Sequence, residues 1–255
     1  NSQLTSDKIK LVIDEQVVTE GVDIQVGTST PVYTEDGTTR IGDQYTITIS
    51  GSGLNLKTNQ VKIRIEPNAI TDNSGNTNKT TDLILFTTLK ETNTETEANS
   101  PFLGNDKIER QNIDNVTFID NIPASIYDVS AKEYKDATAW DVSTAQDKSI
   151  LAWYTTNENG SVKVYIGSND QIFGNVDSSY LFNNIGSSEL CTSTETITNI
   201  NLLNVGNVEN MTKMFRNTGY NAMTSLNLGD NFDTSNVNDM KGMFENTGYL
   251  AMKTI

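Results

Sequence analysis

Two short segments near the C-terminal end of the chain, residues 199–202 and 225–228, alternate polar and apolar side chains. Successive side chains of a strand point to opposite faces. If the Ile and Leu residues enter a core, the amide and hydroxyl groups between them face outward, where they can form hydrogen bonds with a protein or a glycan. The alternative is that these are solvated strand residues with no ligand. The predicted ligand-binding residues are Asn199, Asn201, Ser225 and Asn227.

The chain is poor in groups that carry out catalysis. It contains no histidine and one cysteine, Cys191, which excludes the ordinary serine or cysteine triad and histidine-based zinc sites. No glycine-rich phosphate loop is present, and with 33 acidic residues carboxylate pairs arise by chance. We therefore expect no enzyme, no cofactor and no metal. Cys191 is expected to be a small buried apolar residue rather than a nucleophile.

One turn, at residues 72–76, places several side-chain oxygens close together. Oxygen ligands are those that calcium prefers, so a calcium site near Asp72 is conceivable. The EF-hand spacing with its bidentate glutamate is missing, however. A turn in which Asp72, Asn73, Ser74 and Asn76 bond to the backbone is therefore favoured.

The charge of the chain limits its partners. The net charge is −15, and no cluster of Lys or Arg is present. Nucleic acids require a basic face, and an anionic membrane surface repels an acidic chain. Solubility is the simplest reason for the acidity. No signal peptide is evident. A membrane-spanning helix needs about 18 consecutive apolar residues, and no segment is that long.

The positions of these polar residues depend on an internal repeat. Residues 208–220 read VENMTKMFRNTGY and residues 237–249 read VNDMKGMFENTGY, an offset of 29 residues. A degenerate copy lies upstream, where LFNNIG at residues 181–186 corresponds to MFRNTG at residues 214–219. A fixed period of about 20 to 50 residues is typical of stacked repeats.

Each repeat is predicted to be a short strand, a loop and a short amphipathic helix. Val237, Met240, Met243 and Phe244 are spaced as the apolar stripe of a helix is, and Gly248 can end that helix. Stacked units would form a solenoid with one continuous core. Because the last copy stops at Ile255, at the start of its strand, we expect further repeats in a longer parent protein.

The repeat also carries a family resemblance. Residues 231–244, NFDTSNVNDMKGMF, resemble the repeat of BspA-like leucine-rich-repeat surface proteins. Residues 139–182 resemble the segment that often precedes those repeats, so the likeness covers residues 139–255. Residues 197–208 lack the NFDTS segment. The resemblance implies a secreted protein of the bacterial cell surface, of a kind that includes adhesins for host matrix proteins or other cells.

The N-terminal part of the chain is predicted to be a β-sandwich of immunoglobulin type. Five alternating segments, 8–13, 22–26, 44–49, 61–65 and 83–87, are separated by polar turns. The segment VKIRI at 61–65, followed by AITD at 69–72 and Gly75-Asn76, resembles bacterial Ig-like repeats. That resemblance implies a spacer that can also be adhesive.

Between these parts lie a polar acidic run and a segment without repeats. The run ETNTETEANSP begins at Glu91 and is predicted to be a linker. Residues 103–180 are predicted to be an N-terminal cap that shields the open end of the repeats. The chain's two tryptophans, Trp140 and Trp153, lie there. They are interpreted as core residues, with an aromatic sugar platform as the alternative.

The sequence thus predicts a multi-domain chain: an Ig-like sandwich at 1–90, a linker at 91–102, an α+β cap at 103–180, and a leucine-rich-repeat solenoid of strands and short helices at 181–255. We expect adhesion or ligand binding at the bacterial cell surface without catalysis. The expected partner is a host extracellular protein, another cell-surface protein or a glycan. The alternatives are a structural stalk whose binding part is missing from the chain, and a glycan-binding module.

Overall fold

The computed structural model describes residues 3–54, 60–72, 74–92, 98–230 and 232–253. The chain forms two compact units, Asn1–Leu85 (unit 1) and Phe86–Ile255 (unit 2). Some residues used in the predictions lie outside the described ranges: Asn73 of the candidate calcium turn, residues 93–97 of the linker, Asn231 and Ile255.

Unit 1 consists of short strands after one 3-10 helix, Ser6–Lys8. The strands are β1 (Ile9–Ile13), β2 (Gln16–Val18), β3 (Asp23–Val26), β4 (Thr30–Tyr33), β5 (Arg40–Gln44), β6 (Ile47–Ser50), β7 (Gln60–Ile65) and β8 (Thr81–Thr88), which contains the boundary between the units. Strand β1 pairs antiparallel with both β2 and β7. The pairs β3–β6 and β4–β5 are separate two-stranded sheets.

The predicted Ig-like sandwich is wrong. Its core would need two broad sheets with apolar inner faces, whereas unit 1 has several small sheets. All four residues of β4 are exposed, so this strand cannot supply an inner face. The core that does form places Ile9 and Ile63 against the half-buried side chains of β3 and β6, such as Ile24 and Ile49.

The strands of unit 2 are β9 (Pro101–Phe102), β10 (Asn105–Glu109), β11 (Ile113–Ile119), β12 (Tyr127–Asp128), β13 (Glu133–Tyr134), β14 (Trp140–Asp141), β15 (Leu151–Thr156), β16 (Val162–Gly167), β17 (Gln171–Phe173), β18 (Ile197–Thr198) and β19 (Leu203–Asn204). Five of them form the largest sheet within the unit, in the order β14-β15-β16-β11-β18. Its 3-10 helices are Arg110–Asn112 and Ile200–Leu202. Strand β11 runs parallel to both β16 and β18.

The two tryptophans belong to different apolar clusters of unit 2. Trp153 is buried and stacks on Tyr165 with ring centroids 5.7 Å apart. Trp140 is half-buried, packs against the main core and donates its indole N–H to the Leu103 carbonyl at 3.2 Å. Because one ring is buried and the other is anchored in the core, the two do not form an exposed sugar platform.

The repeat copies stack on each other without helices. Phe182, Phe215 and Phe244 form a column with ring centroids 5.3 and 5.5 Å apart. Parallel bridges link Asp177 to Asn210 and Asn210 to Asp239. The copies are therefore joined through backbone pairing as well as through the aromatic column.

The predicted solenoid of strands and short helices is wrong, and so is the α+β cap. No α-helix occurs within the described residues, and each copy is a succession of tight turns. Lys213 and Asn217 have φ values of +53° and +55°, whereas an α-helix needs φ near −60° at every residue. The spacing of Met211, Met214 and Phe215 fits turns closed by bonds such as Met214 N–H to the Met211 carbonyl at 3.1 Å.

No helix in the part of the chain that the structure describes is long and apolar enough to cross a membrane.

Candidate functional site

Three of the four predicted ligand-binding residues line one groove of unit 2. The groove has a volume of about 400 Å³ and is open to solvent. Asn199, Asn201 and Asn227 are all exposed there. The remaining lining residues are Glu195, Thr198, Ile200, Gly229 and Asp230.

One wall of the groove is fixed by the sheet beneath it. The buried Asn115 of β11 donates from its amide nitrogen to the Glu195 carbonyl at 2.6 Å and to the Thr198 hydroxyl at 2.7 Å. The register of β18 on β11 places Thr117 opposite Thr198. Asn199 then takes a left-handed conformation with φ of +57°. Its amide nitrogen donates to the Phe118 carbonyl at 3.1 Å, which orients the side chain.

The opposite wall of the groove lies close to the first at a turn that contains Gly229. Gly229 donates its N–H to the amide oxygen of Asn227 at 2.9 Å, which orients the Asn227 side chain. Gly229 has a φ of +73°, and a Cβ placed there would lie 3.0 Å from the Cβ of Asn201. Because glycine has no Cβ, the two walls can come this close, and Asn201 and Asn227 share one groove.

The groove is suited to neutral polar groups. Asparagine amides both donate and accept hydrogen bonds, and the carboxylates of Glu195 and Asp230 accept them. Its lining includes no Lys or Arg, so an anionic ligand is disfavoured. Buried Ile200 contributes an apolar portion to the lining. This arrangement can hold hydroxyl, amide or ammonium groups.

Ser225, the fourth predicted residue, is exposed but does not line the groove. The secondary structure also differs from the prediction, because residues 224–228 form no strand and Asn201 lies in the 3-10 helix Ile200–Leu202. Glu195, Thr198 and Asp230 also line the groove and were not among the predicted residues. Continuing the polar pattern beyond Leu228 to Asp230 would have suggested one of them.

Cys191 is buried, and its thiol donates to the Gln111 carbonyl at 3.3 Å. Burial raises the pKa of this thiol to about 12, with the charge of Asp114 adding to the effect. The thiolate is the nucleophilic form of cysteine. Cys191 is therefore a buried thiol without nucleophilic character at neutral pH.

The turn at Asp72 satisfies its carboxylate internally. One oxygen accepts the N–H groups of Ser74 and Asn76, each at 2.8 Å, and the other accepts the Asn76 amide at 2.8 Å. The Asn76 side chain, followed by these backbone donors, lowers the pKa of Asp72. Among the described residues, no group of three or more His, Cys, Asp or Glu could hold a metal ion.

In a comparison with protein families, residues 187–252 match a family described as "Mycoplasma protein of unknown function, DUF285". The matched segment contains the groove from Glu195 to Asp230 and the last two repeat copies, residues 208–220 and 237–249. Comparisons with curated proteins and with solved structures gave no match.

Proposed function

We infer that this protein is a non-catalytic adhesion protein of the bacterial cell surface, which binds a neutral, hydroxyl-rich glycan in the groove. The observation that carries the proposal is the convergence of three exposed amides, those of Asn199, Asn201 and Asn227, on one open groove. The resemblance of residues 139–255 to BspA-like surface proteins supports both the adhesive role and the extracellular location.

The size of the groove favours a glycan over a protein surface. Small-ligand sites occupy about 300 to 1,000 Å³, and the groove has about 400 Å³. A stable protein interface needs about 800 Å² on each partner, which is far more than a groove lined by eight residues supplies. One or two sugar residues are therefore the better fit.

The chemistry of the lining agrees with this class of ligand. Sugar hydroxyls donate and accept hydrogen bonds, so each can pair with an amide or a carboxylate. Asn199 and Asn227 are already oriented by their bonds to the Phe118 carbonyl and the Gly229 N–H. Preorganised groups lose less conformational entropy on binding. Two of the three amides therefore need little ordering when a ligand enters.

The test is a binding screen of the whole chain against a glycan array and against immobilised matrix proteins. We expect saturable binding to neutral glycans. The affinity should change little with salt, because the hydrogen bonds between the groove and a neutral glycan include no ion pairs. Asn201→Ala should weaken binding at least tenfold. It removes an exposed amide for which the structure gives no intramolecular hydrogen bond, so the fold should be unaffected.

Ser225→Ala is the control, since Ser225 is also exposed but lies outside the groove. Equal binding by the Asn201→Ala variant and the wild type would refute the groove as the site. Salt-sensitive binding to a matrix protein would indicate a protein ligand instead. Binding to neither class would favour the structural stalk. The proposed location is tested separately by antibody labelling of intact cells.

A further inference from the structure

Two acidic residues line the groove, one on each wall. Glu195 precedes β18 on the wall that the sheet fixes, and Asp230 directly follows Gly229 on the opposite wall. Both residues are exposed. Within the part of the chain that the structure describes, neither carboxylate accepts a hydrogen bond or forms an ion pair. Both are therefore available to a ligand that enters the groove.

Other carboxylates of unit 2 hold the chain in its own turns. Asp114 accepts two backbone N–H groups, at 2.7 and 2.8 Å. Asp233, three residues beyond Asp230, accepts the backbone N–H of Ser235 at 2.9 Å. Glu195 and Asp230 have no such bond, so the local turns do not explain why these positions are acidic.

The groove offers more hydrogen-bond acceptors than donors. A carboxylate only accepts, and its two oxygens provide about four acceptor sites. The Asn199 amide nitrogen already donates to the Phe118 carbonyl, while the Asn227 amide oxygen accepts the Gly229 N–H. No Lys or Arg lines the groove to supply further donors. A ligand that fits this balance must therefore bring donors of its own.

We propose that Glu195 and Asp230 determine the specificity of the groove: they accept hydrogen bonds from the hydroxyl groups of a neutral sugar and exclude sugars that carry a carboxylate or a sulfate. This inference rests on the proposed function. An ionised carboxylate or sulfate brings no donor, and it is repelled by the two carboxylates of the groove together.

The repulsion acts at short range. Like charges repel more strongly beside a protein surface than in bulk water, because the effective dielectric constant is lower there. Salt screens part of this repulsion in an open groove, since the Debye length is about 8 Å at 0.15 M ionic strength. The exclusion of anionic sugars should therefore be strongest at low salt.

The probes are pairs of sugars that differ only at carbon 6. They are glucose with glucuronic acid, galactose with galacturonic acid, and N-acetylglucosamine with its 6-sulfate. Binding to the whole chain is measured by ligand-observed NMR titration at low and at high salt. We expect a neutral sugar to bind at least tenfold more tightly than its acidic partner at low salt, and this affinity ratio should fall as salt is added.

Amide variants test the two residues directly. Glu195→Gln and Asp230→Asn keep the size of the side chain and remove its charge. Each should lower the neutral-to-acidic affinity ratio at least threefold, and the double variant at least tenfold. Glu189→Gln is the matched control, because it makes the same change of charge at an exposed position outside the groove. It should leave the ratio unchanged.

The outcomes separate this inference from the proposed function. Equal or tighter binding of the acidic partner to the wild type would overturn the inference and leave the groove as a sugar site. An unchanged ratio in the double variant, or an equal fall in the Glu189→Gln control, would do the same. If no neutral sugar of the panel bound the wild type, the result would count against the proposed function, and the inference would fail with it.

Discussion

Phe215 is the centre of the aromatic column, and its truncation is the most demanding test of how the repeat copies hold together. The ring is fully buried. It stacks on Phe182 at 5.3 Å and on Phe244 at 5.5 Å, and it meets Phe232 at an angle of 47°. Phe215→Ala therefore removes contacts on both ring faces at once. It also leaves a cavity in the middle copy, whose backbone is hydrogen-bonded to the copies on both sides.

Truncating a buried phenylalanine to alanine costs about 3 to 5 kcal/mol of unfolding free energy. Each aromatic pair contributes about 0.5 to 1.5 kcal/mol beyond the area it buries. Because Phe215 stacks on two rings, we expect the upper half of that range, about 4 to 5 kcal/mol. Phe232→Ala is the comparison. Phe232 is half-buried and makes a single tilted contact with Phe215, so its truncation should cost about 1 kcal/mol.

The assay is urea denaturation followed by tryptophan fluorescence. Both tryptophans, Trp140 and Trp153, lie in unit 2 together with the column, so the signal reports the unfolding of that unit. A loss of less than about 1 kcal/mol for Phe215→Ala, or equal losses for the two variants, would refute the reasoning.

Three further predictions concern single residues. Gly219→Ala should destabilise unit 2 by more than about 1 kcal/mol in the same denaturation assay, because φ is +57° and the added Cβ would lie 2.3 Å from that of Met223. The Cys191 thiol, with its pKa raised to about 12 by burial, should resist alkylation at pH 8 in the folded chain and react in denaturant, as mass spectrometry would show. The Ser130 hydroxyl, followed by the Ala131 N–H, lowers the pKa of Asp128 to about 2. The ionised Asp128 carboxylate therefore contributes fully to stability above about pH 4, and this contribution is lost as the pH falls through 2. An NMR titration midpoint near 4 for Asp128 in the folded chain would contradict this.

Strands with an apolar alternation were predictable from sequence. Strand β3, for example, lies at Asp23–Val26, within the alternating segment predicted at 22–26, because alternation is visible in the local sequence. Strand β4 was missed because its four residues are all exposed and so leave no alternating pattern. The predicted helices failed for a related reason. Apolar spacings of three, three and one fit a helix and also a series of tight turns, and the left-handed Asn217 selects the turns.

The candidate site was predictable only in part. Alternation correctly marked Asn199, Asn201 and Asn227 as exposed. It could not show that they share a groove, which depends on the long-range bonds of Asn115 and on the close approach at Gly229. Such contacts join residues far apart in the chain, and local periodicity carries no information about them.

The central proposal is that the groove, rather than the surrounding surface, binds the ligand. The most direct test is therefore glycan binding by the Asn201→Ala and Ser225→Ala variants of the whole chain, measured side by side with the wild type. The proposal predicts at least a tenfold loss of affinity for Asn201→Ala and none for Ser225→Ala. Equal affinity of the three proteins, or an equal loss in both variants, would contradict it.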